Sequence, residues 1–177
     1  MIQPTKRLEL LFLGSLPAIV TAFLTIIYLT SKHVGGLNYF MPMLPVAPMF
    51  YWSMMQARDM PYWFVFCVGL VIDAVTGLPL GLSSFLFILF LLMVHAQRKY
   101  FHKEAFVIKW GYFALLLAVC NLAGWMLLGF FMPQPRPVLA AFLQWLFTFC
   151  IYPLLHKAFD GIYEYIHDRR WQILHGQ

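Results

Sequence analysis

A 177-residue chain that is 62% hydrophobic and only 11% charged has too few polar side chains to cover a water-exposed globule of its size. A mean hydropathy of +0.75 with a formal net charge of +5 describes a bilayer protein. It excludes an ordinary soluble enzyme domain, and no nucleic-acid partner is expected.

The first uncharged run, residues 10–31, is 22 residues long, enough to cross a bilayer whose hydrocarbon takes roughly 20 helical residues. It exceeds a signal-peptide core of about 7–15 residues, and no small-x-small cleavage site follows in TSKHVGG, so a retained anchor is expected. The next run supports a span over 40–57 that opens on Pro42, Pro45 and Pro48. Each proline removes an amide donor and restricts the residue before it, which predicts a non-helical or kinked start. The Phe50-Tyr51-Trp52 run and Tyr62-Trp63 read as an aromatic belt at the cytoplasmic interface.

Residues 60–97 form a 38-residue stretch whose one charged side chain is Asp73. As a single helix it would extend about 57 Å, too far for one crossing. Gly77, Pro79 and Gly81 are its cluster of breakers, which predicts a turn between helices at about 62–76 and 80–97. Further spans follow at 107–131 and 138–157.

Six crossings place Lys6, Arg7, Arg58, Arg98, Lys99, Lys103, Lys109, Lys157, Arg169 and Arg170 on one side, against Lys32 and Arg136 on the other. The side rich in Lys and Arg faces the cytoplasm. The expected fold is therefore an all-α polytopic membrane protein with six transmembrane helices and both termini cytoplasmic, with a short, broken hairpin of third and fourth helices. Residues 1–158 form one membrane domain, and 159–177 a cytoplasmic amphipathic tail. That tail aligns Phe159, Ile162, Ile166 and Ile173 on one stripe and Asp160, Glu164 and Asp168 on another, as for a segment lying on membrane lipid or a protein partner.

Gly69, Asp73 and Gly77 fall at i, i+4 and i+8 and share one helix face. Small residues above and below a carboxylate let a neighbouring helix approach it closely and donate to it. A charge facing lipid would cost about 2.5–3.5 kcal/mol or more, so Asp73 faces protein, a cavity or the turn. Two roles stay open: stabilising packing and the turn, or contacting a ligand, a proton or a partner. Asn121 and Gln144 are the other strongly polar residues deep in spans, at similar depth. They can meet each other, join Asp73 in an outer-half polar patch, or make a single interhelical amide bond worth about 0.6 kcal/mol.

Catalytic patterns are sparse. Cys67, Cys120 and Cys150 form no C-x-x-C and read as apolar filler. His95, His102 and His156 lack a companion carboxylate at metal-ligand spacing, and no cofactor is expected. Ser83 and Ser84 have no histidine at their depth, and His156 to Asp160 misses the spacing of a membrane acyltransferase motif.

Pro48-Met-Phe-Tyr-Trp52, then a short charged loop, then Gly69-Leu-Val-Ile-Asp73, Gly77 and Leu80-Gly81-Leu-Ser-Ser84 together resemble the MreD family of bacterial rod-shape-determining membrane proteins. The resemblance runs over about residues 40–158. It implies a six-span bundle of the bacterial cytoplasmic (inner) membrane without catalytic activity. That bundle would work with MreC, the actin-like MreB and the peptidoglycan synthases of the elongation complex, polymerase and transpeptidase. It also implies a fold similar to the substrate-binding subunits of energy-coupling-factor transporters. The alternative function is such a subunit for a vitamin-type small molecule, with Asp73, Asn121 and Gln144 lining its pocket.

Overall fold

The computed structural model describes residues 4–33, 41–55, 60–101, 104–131 and 137–175, and among them every regular element is helical. The helices are α1 (Pro4–His33), α2 (Val46–Met55), α3 (Tyr62–Thr76), α4 (Leu82–Phe101), α5 (Phe106–Phe131) and α6 (Val138–His175). Four of them, α1, α4, α5 and α6, are long and apolar enough to cross a membrane. The chain is thus a helical membrane protein. Arg58, His102, Lys103 and Arg136, which carry part of the charge and histidine pattern, lie outside the described residues.

The short second helix differs from the expected span over 40–57. Residues 42–45 turn instead of coiling, with Leu44 N–H donating to Pro42 O at 2.9 Å and Val46 N–H to Met43 O at 3.2 Å. Only ten helical residues follow, about 15 Å of rise. The prolines cause this directly, because the segment lacks the amides that would continue a helix backwards. The Met43 N–H exposed by the turn donates to Thr148 Oγ1 at 2.8 Å, and that hydroxyl donates in turn to Gln144 O at 2.6 Å.

Every residue from Val46 to Met54 is buried, because α1, α4 and α6 all pack against α2. Phe50, Tyr51 and Trp52 are at most 1% exposed, so they are core and not an interfacial belt. Phe50 packs edge-on to Phe113 at 5.1 Å and Tyr152 at 5.7 Å between ring centroids, a geometry favoured by the ring quadrupoles. Tyr62 and Trp63 remain exposed, as the belt reading requires. At the far end of α2 the Arg98 guanidinium from α4 donates to Met54 O at 3.0 Å and Met55 O at 2.6 Å. A cation there complements the negative end of the helix dipole.

No break separates residues 158 and 159: α6 runs 38 residues through Pro153, about 57 Å of helix. The stripe assigned to docking is covered by the chain itself. Phe159 and Ile166 are buried, Ile162 packs on the same core, and Phe159 lies 5.4 Å from the Tyr51 ring. The Ile173 side chain is outside the described residues. Arg170 reaches to within 3.6 Å of where a Cβ on Gly14 would stand, so the start of α1 and the end of α6 share one end of the molecule.

Candidate functional site

The site grows out of the α3–α4 turn. Helix α3 ends at Thr76, where Gly77 takes φ +67 and its N–H, with that of Leu78 at 3.1 Å, returns to Asp73 O. A left-handed residue at this position is the usual stop for a helix, and glycine adopts it without a Cβ penalty. Leu82 N–H donates to Pro79 O at 3.1 Å, Gly81 sits at φ +94, and Phe85 N–H to Gly81 O at 2.8 Å begins α4. Gly77, Pro79 and Gly81 therefore build the predicted turn, each through its backbone.

Asp73 is fully buried and points back into this turn. Its Oδ2 accepts from Gly81 N–H at 2.8 Å, and both oxygens accept from Ser83 N–H at 3.1 Å. These donors are orphan amides at the start of α4, which have no partner within their own helix. A carboxylate from α3 thus caps α4, where the helix dipole favours negative charge. The same residue receives the end of its own helix on its carbonyl.

One turn below, Gly69 sets how closely the two helices approach. A Cβ there would stand 2.4 Å from Ser84 Cα and 2.5 Å from Ser84 N, inside any real contact distance. The Ser84 hydroxyl uses that proximity to donate to Phe66 O at 2.9 Å. Gly69 and Asp73 therefore face α4 together, as their spacing predicts. Gly77 serves the turn by its backbone conformation instead, with nothing within 4 Å of a Cβ placed on it.

Asn121 and Gln144 do not join Asp73. The Asn121 amide donates to Ala141 O at 3.1 Å, one interhelical bond between α5 and α6. Both residues line a cavity of about 90 Å³, whose wall includes Ser83 but not Asp73. Among the described residues no group of three or more His, Cys, Asp and Glu could hold a metal ion.

Sequence reading missed a second polar cluster. Tyr51 donates to Asp160 Oδ1 at 2.6 Å, while His156 Nδ1 lies 2.9 Å from Asp160 Oδ2. The carboxylate ties α2 to α6 through a long-range contact, and only the i, i+4 spacing of His156 and Asp160 announced any part of it. Arg98 and Thr148 were also missed as anchors; their signal was the proline-broken, ten-residue helix whose ends need external partners. No protein family, curated protein or solved structure matches the chain.

Proposed function

We propose that this chain is a non-catalytic membrane scaffold of the bacterial cell-elongation machinery, of the MreD type, linking MreC, MreB and peptidoglycan synthases in the inner membrane. In this reading all six helices traverse or enter the bilayer and both termini are cytoplasmic. The charge asymmetry and the meeting of α1 and α6 at one end support that orientation. The observation that carries the reading is the use made of Asp73. The residues that resemble the family, Gly69 through Ser84, form one interlocked hairpin whose buried carboxylate is committed to the backbone amides of Gly81 and Ser83. Such a carboxylate fixes a shape and has little capacity left for substrate or proton transfer.

A fixed shape is what a scaffold offers. Large apolar side chains cover the outside of α5, among them Leu115, Leu122, Met126 and Phe130, leaving lipid or partner helices to pack on them. The alternative, a substrate-binding transporter subunit, is favoured by the cavity at Asn121 and Gln144 and loses Asp73 as a ligand group.

Purification of the tagged protein from its native membranes in mild detergent, with mass spectrometry against a mock-tagged control, tests the reading. Co-recovery of MreC and wall synthases is the expected outcome. Recovery of an ATPase pair with a transmembrane coupling subunit would replace the scaffold by the transporter.

A further inference from the structure

The cavity beside the hairpin turn is built from parts of all six helices, at the end away from the meeting of Gly14 and Arg170. Tyr28 lies in the last turns of α1, Val46 opens α2, Ile72 lies in the last turns of α3, Leu82 and Ser83 open α4, Leu128 lies in the last turn of α5 and Ala140 in the first turn of α6, and all of them reach its wall. Most of the remaining wall is aliphatic and aromatic, and among the described residues no Asp, Glu, Lys or Arg lines it. Three polar groups on the wall stand out by what they do not do. Among the described residues, the Gln144 side-chain amide and the Ser83 hydroxyl have no hydrogen-bond partner, and the Asn121 carbonyl oxygen has none once its amide has bonded Ala141 O.

Water alone is a poor occupant. Every buried water needs about 2–4 polar partners. Three uncommitted groups satisfy about one, leaving the rest of the volume against hydrocarbon side chains. An empty site is equally poor, because polar groups turned towards a largely apolar, partly open cavity are left without hydrogen bonds. The occupant that meets both demands has a compact apolar body and one amide- or hydroxyl-like edge. A net charge is unfavourable, since nothing among the described wall residues neutralises it.

We propose that this cavity is a binding site for an uncharged, ring-sized molecule carrying one hydrogen-bonding edge, which faces Gln144, Asn121 and Ser83 while its ring packs on the apolar wall. The site stands apart from the Asp73 lock: the carboxylate is not on the wall, although Ser83 belongs to both through different atoms, its N–H to Asp73 and its hydroxyl to the cavity. Occupancy would brace the starts of α4 and α6 against the end of α5. The inference does not depend on the scaffold reading, since a bundle that docks partners and one that delivers a substrate could each hold such a ligand.

Benzamide, a neutral ring with an amide edge, is the probe, with benzoate as its charged counterpart and toluene as its apolar one. Saturation-transfer NMR on the full chain in nanodiscs, corrected with empty nanodiscs, reads binding. Benzamide is expected to bind and benzoate not to. Ala141→Phe, which fills the space, is expected to abolish benzamide binding. Gln144→Leu, of similar volume, is expected to weaken benzamide about tenfold, the worth of one buried hydrogen bond, and to leave toluene unchanged. If Ala141→Phe does not fold, the Gln144→Leu comparison decides. Absence of benzamide binding to the wild-type chain, equal binding of benzoate, or a Gln144→Leu variant indistinguishable from wild type towards benzamide would each overturn the proposal. Co-purification of partners moves with none of these outcomes, so failure here and failure of the scaffold reading are separately visible.

Discussion

Gly69 and Asp73 hold the hairpin by opposite means, one by having no side chain and the other by having a charged one. Gly69→Ala places a methyl 2.4 Å from the Ser84 backbone, which no rotamer can relieve, so α3 and α4 must separate. A loss of about 1–3 kcal/mol, the usual cost of overpacking, is expected and is read as a lower Tm in detergent. Asp73→Leu keeps the branched shape but leaves the amides of Gly81 and Ser83 without an acceptor, at about 1–3 kcal/mol for each buried donor. Asp73→Asn retains one acceptor oxygen and is expected to fall between wild type and Asp73→Leu in the same melt. The positions of Gly69 and Asp73 on one face were legible from their spacing. That the carboxylate turns back along the chain to cap α4 was not, because spacing defines a face but not which donor on the facing element arrives there.

At the scale of elements, α3 and α5 could be read closely from charge and breakers, at 62–76 and 107–131 against Tyr62–Thr76 and Phe106–Phe131. Charge-free windows defined them well because both ends of each lie at polar or breaking residues. At α2 hydropathy is a poorer guide, because it reports solvent preference and this element is positioned by the chain's own packing. The aromatic run in α2 is as hydrophobic as a lipid-facing belt, yet it is enclosed by α1, α4 and α6. Two side chains from other helices, Arg98 and Asp160, hold α2 in place. Arg98→Gln is expected to take the guanidinium donor from the Met55 carbonyl and loosen the last turn of α2, raising hydrogen exchange there while leaving α5 unchanged. Tyr51→Phe removes a hydrogen bond to a carboxylate, worth about 1.5–3 kcal/mol, and is expected to lower Tm to a similar extent as Gly69→Ala.

For the whole molecule, α6 runs without a break from the bundle into the segment read as a tail. The amphipathic stripe of 159–177 was legible, but its partner is internal: Phe159 and Ile166 complete the core under α2 and α1. Burial of each such side chain is worth about 1.5–3 kcal/mol, so truncation after Ala158 is expected to cost several kcal/mol and yield aggregated material on size-exclusion chromatography. A freely docking tail would leave the truncated protein monodisperse with an unchanged Tm. Towards the end of α6 the Tyr165 ring stays more than half exposed.

The account rests most on the carboxylate of α3 capping α4, and hydrogen-exchange mass spectrometry of the peptide covering residues 77–85, in wild type and in Asp73→Leu, tests that contact directly. Slow exchange in the wild-type chain, lost in Asp73→Leu at the Gly81 and Ser83 amides while peptides of α5 and α6 keep their protection, is the predicted result. Equal exchange of that peptide in the two proteins would contradict it, and would return Asp73 to the search for a ligand.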